Sequence, residues 1–310
     1  MRGVLYRRTL AGERTIVGIG LHSGKNVRMR LVPAEGGTGV VFVRTDLGGA
    51  EIPALLENAG TSFYATVLRK DGAQVSTIEH LMAALYALQV DDVRIEIDGP
   101  EVPILDGSSR PFVDGILEAG RVELPVVRQY LTIVRPVTVS HEDKRIAVHP
   151  CPEYRVTYAI DFAHPLLGYQ ALTASLWGEE AFREKLAPAR TFVLEREVDA
   201  LRRAGLALGG SLDNAVVVGQ ERILNGTLRF QDEFVRHKIL DVIGDLALVG
   251  RPVQGHVVAR NAGHALNHLL VRELVKTARR WDDATPHRTP LPVEAPWEGA
   301  TRRRTRVAAH

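Results

Sequence analysis

Two hydrophobic rhythms alternate along this chain, and the alternation occurs twice. Short runs such as Asn26-Val-Arg-Met-Arg-Leu-Val, Val40-Val-Phe-Val-Arg and Val93-Arg-Ile-Glu-Ile have the spacing or the compact apolar content of strands with a buried face. Longer runs place apolar residues three and four apart, which puts them on one side of a helix. Within residues 75–88, Ile78, Leu81, Met82, Leu85 and Leu88 share such a face. Ser76 and Thr77 there offer N-caps and Glu79 an early acidic residue. Another helix is expected from Ser108 or Ser109, ahead of Pro111, to about Glu118. Strands are then expected at 130–134, 144–148 and 154–161, with helices at 179–186, 194–204, 234–249 and 262–280. A boundary near Leu124-Pro125-Val-Val-Arg divides the chain into two α+β units, 1–125 and 126–283. No fixed-period repeat of residue identity links them. Residues 284–310, rich in Pro, Arg and Thr, have little apolar surface to bury and are expected to be a disordered basic tail.

Composition excludes several classes of function. A net charge of +2 gives no electrostatic reason to expect nucleic acid as a partner. No apolar run approaches the roughly 20 residues of a membrane-spanning helix, and the N-terminal residues lack the apolar core of a secretory signal. A cytoplasmic protein is expected. Cys151 is the single cysteine, so an intramolecular disulfide is excluded and any zinc site must draw on His, Asp or Glu.

Such a site has a natural location. Phe234-Val-Arg-His237-Lys238-Ile-Leu-Asp241-Val-Ile-Gly-Asp245 reads as one helix, and residues four apart on a helix lie on one face. His237 and Asp241 are therefore placed to chelate one cation, and Asp245 continues their row. Taken alone, such a pair is more often the solvated face of an ordinary helix. A catalytic zinc site keeps three protein ligands and one open position, and the best third ligand is His80 in Thr77-Ile-Glu79-His80-Leu. Glu79 beside it has the chemistry of a general base; its ordinary alternative is a carboxylate serving the helix dipole. His264, near a helix start in Gly263-His264-Ala-Leu-Asn267-His268, is a candidate general acid, with Asp245 to orient it and raise its pKa. Its alternative is a packing or capping histidine. Gly18-Ile-Gly20-Leu-His22-Ser23-Gly24-Lys25 is neither a dinucleotide fingerprint nor a P-loop. Ser23, Ile19 and Asn26 break the two patterns, and a strand follows where a helix is needed.

Taken together, the segments resemble the UDP-3-O-acyl-N-acetylglucosamine deacetylases, zinc amidases of lipid A biosynthesis. The likeness rests on Gly20-Leu-His22-Ser-Gly24, Ser76-Thr-Ile-Glu79-His80-Leu, Glu101-Val-Pro-Ile-Leu-Asp106-Gly-Ser and Ala189-Arg190-Thr191-Phe192. Gly209-Gly210-Ser211-Leu-Asp213-Asn214, Arg236-His237-Lys238-Ile-Leu-Asp241 and Gly263-His264-Ala-Leu-Asn267 complete it. Each motif is weak singly; their common order makes the match specific. The resemblance implies an α+β fold of two similar domains, each a small, mainly antiparallel sheet on helices, with the active site between them. It implies Zn2+ held by His80, His237 and Asp241, with Fe2+ as the alternative ion. Glu79 would deprotonate the attacking water, Thr191 would help stabilise the oxyanion, and His264, positioned by Asp245, would protonate the departing amine. Lys238 would face the sugar or diphosphate and Phe192 the sugar or uridine. Gly210 and Ser211 would contact substrate. The acyl chain would enter an apolar passage in an insertion of the second domain, with Leu201 among its lining. A UDP-linked acylated amino sugar is the implied substrate and a monomer the expected state. The arginines of the tail would allow transient contact with a membrane surface. Tyr64 departs from the family pattern, which has a cysteine or small residue near the site. That departure keeps open a deacetylase of the same fold acting on another acylated sugar. A non-enzymatic module binding an anionic ligand is the third reading.

Overall fold

The computed structural model describes residues 5–60, 64–176 and 178–282; the basic tail at 284–310 lies outside them. The fold is α+β. Strands Arg14–Ile19, Asn26–Pro33, Val93–Ile97, Val40–Arg44 and Ala50–Pro53 form a five-stranded sheet in that spatial order. All its pairings are antiparallel except that of Val40–Arg44 with Val93–Ile97. Strands Val137–His141, Lys144–His149, Val253–Arg260, Tyr154–Phe162 and Gly168–Ser175 form a second sheet in the corresponding order, joined at Val253–Arg260 by the short strand Leu131–Thr132. Here too the single parallel pairing along the main path lies between the third and fourth strands. The two sheets therefore repeat one topology without an evident repeat of sequence.

Alternation drives each sheet's inner face. Val27, Met29 and Leu31 alternate along one strand, and Tyr154, Val156, Tyr158 and Ile160 along another, all buried. Each full burial of this kind is worth about 1.5–3 kcal/mol. Six α-helices complete the described fold: α1 (Glu79–Ala87), α2 (Arg110–Ala119), α3 (Glu179–Lys185), α4 (Glu195–Arg203), α5 (Glu233–Leu246) and α6 (His264–Asp282). Helices α1 and α5 occupy matching positions, each between the fourth and fifth strands of its sheet in chain order, and they pack on one another. Their contact works because of Gly244. A β-carbon there would lie 2.1 Å from the Glu79 carbonyl oxygen, and backbone cannot yield as a flexible side chain does. The glycine thus brings the first turn of α1 against the last turn of α5.

Several local expectations differ from what is observed. The segment starting at residue 75 is not all helix: Ala73–Ser76 is a strand and α1 begins at Glu79. Ser76 and Thr77 do not cap it; the Thr77 hydroxyl instead donates to Glu101 at 2.9 Å, an alternative partner that such side chains readily take. The expected strand at 130–134 shrinks to Leu131–Thr132. The segment around residue 125 forms strand Arg121–Val127, which pairs back onto Tyr6–Leu10.

Candidate metal centre

His80 lies in the first turn of α1, and His237 and Asp241 lie one turn apart on α5. All three are buried, and one donor atom from each falls within 4.8 Å of the others. Asp241 Oδ1 is 3.3 Å from His237 Nε2 and 3.8 Å from His80 Nε2. The two imidazoles meet edge to face, their planes at 84°. Donors held about 2.0–2.1 Å from a tetrahedral ion lie about 3.3 Å apart, so these separations suit a single divalent cation.

Protonation and hydrogen bonding point the same way. His237 Nδ1 donates to the Ala189 carbonyl at 3.1 Å, which leaves the Nε2 lone pair facing Asp241. Fixing a ligand's tautomer through its other nitrogen is the usual outer arrangement of a metal site. Burial lowers the pKa of His237, and burial together with the neighbouring His237 pulls His80 down to about 3. Both rings are neutral near pH 7 and available as ligands. Burial alone would raise Asp241, but His237, Lys238, His264 and His80 outweigh it and hold the carboxyl ionised. Asp241 Oδ2 accepts from Lys238 Nζ at 2.7 Å, whereas Oδ1 is buried with no hydrogen-bond partner. An orphaned buried acceptor costs about 1–3 kcal/mol. A cation between Oδ1 and the two ring nitrogens removes that cost, so the residues fit a bound metal ion.

Glu79 and Asp245 extend the site in two directions. Glu79 is buried, and burial is the main force raising its carboxyl to about 7, with His264 opposing and Asp245 and Asp241 reinforcing. Asp245 is wholly buried. Its Oδ2 accepts from His264 Nδ1 and from Asn267 Nδ2, both at 2.8 Å. Burial lowers the pKa of His264, but the Asp245 charge and hydrogen bond, with Glu79 and Asp241 behind them, win and lift it to about 9. Its ring is therefore a cation at neutral pH, with the second nitrogen protonated as well. A group near 7 and a group near 9 in one buried cluster have the ordering of a base and an acid.

The segment between α3 and strand Phe192–Leu194 is locked to this centre. Buried Glu233, in the first turn of α5, accepts from the Arg190 backbone and side chain and from the Arg229 backbone at 2.6–3.2 Å. That grip fixes Ala189, whose carbonyl holds His237, and so carries Thr191 and Phe192 close by. Thr191 N–H donates to the Gly107 carbonyl at 2.8 Å. Gly107 has φ +84°, and a β-carbon on it would lie 2.1 Å from the Asn214 carbonyl; only glycine meets both demands. Phe192 packs edge-on against Phe234 and His237, and the Lys238 ammonium lies 5.7 Å from its ring centre. Gly210 and Ser211 belong to a turn closed by Gly210 N to Ala207 O and Ser211 N to Asn214 Oδ1. This turn seats on residues 20–24 through Gly209 N to Leu21 O. Leu201 is buried on α4, while Leu208 and Leu212 are more than half exposed.

Sequence reasoning overlooked Thr66, Asn267 and His268, which surround Asp245. His268 was open to the same argument as Asp241, since it lies four residues beyond His264 on one helix. Thr66 carries no such signal, being 179 residues from Asp245.

The sequence model of the family described as UDP-3-O-acyl N-acetylglycosamine deacetylase matches residues 7–276. UDP-3-O-acyl-N-acetylglucosamine deacetylase of Syntrophotalea carbinolica is 48% identical over 280 residues, covering 90% of each chain. The protein of that name from Myxococcus xanthus is 48% identical over 271 residues, 87% of this chain and 86% of its own. The one from an Anaeromyxobacter species is 43% identical over 298 residues, 94% and 97% of the two chains.

Proposed function

Because the chain belongs to the UDP-3-O-acyl-N-acetylglucosamine deacetylase family, we propose that it hydrolyses the acetamide of UDP-3-O-acyl-N-acetylglucosamine. The products are acetate and UDP-3-O-acyl-glucosamine. The observation that carries this reading is the unpaired, buried Asp241 Oδ1 facing the ring nitrogens of His80 and His237. The proposed ion is zinc, for which His, His and carboxylate are an ordinary catalytic set; ferrous iron also accepts these donors. When bound, the ion polarises the acetamide carbonyl and acidifies water.

The chain's own residues supply the proton transfers. Glu79, whose carboxyl is lifted into the neutral range by burial, takes a proton from the attacking water. The Thr191 hydroxyl, presented by the loop that Glu233 clamps, donates to the developing oxyanion. As the carbon–nitrogen bond breaks, His264 gives its proton to the departing amine and Asp245 holds the ring in place. Lys238 stays a cation through its contact with Asp241 and faces the sugar or diphosphate, with Phe192 as an apolar wall. Gly210 and Ser211 form part of the sugar-nucleotide surface. The acyl chain is assigned to the apolar side of α4 and the turn after it, with Leu201, Leu208 and Leu212.

The repeated sheet topology supports two similar domains, 1–125 and 126–283, with the site between α1 of one and α5 of the other. We place the protein in the cytoplasm as a monomer, and no described helix is long and apolar enough to cross a membrane. Acetate release from UDP-3-O-acyl-GlcNAc, compared with UDP-GlcNAc, tests the assignment. At least a hundredfold preference in kcat/KM for the acylated sugar is expected, the scale of about 3 kcal/mol from burying a few methylenes. Equal rates would leave a deacetylase whose substrate is another acylated sugar, the reading to which the exposed Tyr64 points.

A further inference from the structure

Thr66 joins the two ends of this site. It is fully buried, immediately before strand Val67–Lys70. Its backbone N–H donates to Glu79 Oε2 at 3.0 Å. Its hydroxyl lies in hydrogen-bond contact with Asp245 Oδ1, 3.1 Å from His268 Nε2 and, more loosely, 3.4 Å from His264 Nδ1. The proton positions follow from elimination. Asp245 is an ionised acceptor, and its Oδ2 already takes the protons of His264 Nδ1 and Asn267 Nδ2. The Thr66 hydroxyl must therefore donate to Oδ1, and its lone pair is left to accept from His268 Nε2–H. With this donor in place both carboxylate oxygens are satisfied, and the plane of the carboxylate that aims His264 is set.

We propose that Thr66 is a positioning residue of the hydrolytic site: its amide holds the base Glu79, and its hydroxyl fixes Asp245 and through it the acid His264. The proposal rests on the deacetylase reading for the roles of Glu79 and His264, while the contacts themselves stand apart from it. The consequence concerns how firmly His264 keeps its proton. A donor to Asp245 Oδ1 draws off part of the carboxylate's charge, so removing it leaves a stronger partner for the imidazolium. The other charged or titratable groups around His264 are Glu79 and His80 of α1, His237 and Asp241 of α5, His268 of α6, and His22. Of these, only His268 loses a partner when the Thr66 hydroxyl is removed; Glu79 keeps the Thr66 backbone amide.

Thr66→Val is isosteric and keeps the backbone amide, so it removes the hydroxyl alone. NMR titration of the His264 ring in the metal-free protein reads the effect without any need for turnover. In Thr66→Val the His264 midpoint should move to higher pH by about half to one pH unit, the effect of one hydrogen bond to a carboxylate. Thr66→Ala should move it likewise, and Thr66→Ser should return it to the wild-type position. In the metal-loaded enzyme the alkaline limb of kcat should move the same way, with kcat at pH 7 lowered about tenfold and restored by serine. An unmoved midpoint in both Thr66→Val and Thr66→Ala would overturn the proposal and reduce Thr66 to packing. Absence of deacetylation by the wild-type protein would instead defeat the functional reading, and the ring titration would still decide the role of Thr66.

Discussion

Glu79→Gln is expected to retain the bound ion and lose at least a hundredfold in kcat, the lower end of what a positioned general base contributes. Glutamine matches the shape of the side chain and can still accept from the Thr66 amide, which donates to Glu79 Oε2 at 3.0 Å. It cannot take up a proton. Glu79 is also outside the three-residue cluster formed by His80, His237 and Asp241, so the metal content of purified Glu79→Gln should match wild type. Elemental analysis and single-turnover kinetics on one preparation check both halves. A variant that lost the ion would make Glu79 a ligand, and one that kept wild-type turnover would remove it as the base.

Asp241→Ala should have the opposite signature. This carboxylate is the only anion among the three candidate ligands, and its Oδ1 has no partner except the space between the imidazoles. Without it two neutral histidines remain, and metal affinity is expected to fall at least a thousandfold, about 4 kcal/mol, with activity at background. The variant also leaves the Lys238 ammonium without the carboxylate it contacts at 2.7 Å. The ammonium is partly solvated, so a loss of stability of about 1–3 kcal/mol follows, the scale of one hydrogen bond to a charged group. Metal content by elemental analysis and unfolding in urea measure the two effects. Wild-type metal content in Asp241→Ala would show that the ion, if any, is held elsewhere.

The contrast between these two variants reflects what could be read from residue order. His237 and Asp241 are one helical turn apart, and the geometry of a single helix brings them together; no knowledge of the fold is needed. His80 is different. Its place beside them depends on α1 packing on α5 through the bare backbone of Gly244, and a glycine in an apolar helix does not announce its neighbour. The order of strands and helices was legible because the inner faces keep strict alternation, as in Val27, Met29 and Leu31. Local polar signals were less dependable. Thr77 has the character of an N-cap, yet tertiary structure offers it Glu101, and the helix starts two residues later. The clamp from Glu233 through Arg190 to Ala189 and the contacts of Thr66 with Glu79 and Asp245 join segments far apart in sequence. Periodicity has no access to such pairs.

The central claim is that the buried His80–His237–Asp241 cluster binds the ion on which acetamide hydrolysis depends. Its most direct test is to strip the purified protein with a chelator and titrate zinc back, following acetate release from UDP-3-O-acyl-GlcNAc. Activity absent at the start, rising in proportion to added zinc and levelling at about one equivalent, is the predicted result for one catalytic site. Undiminished acetate release from the fully stripped protein would contradict the claim.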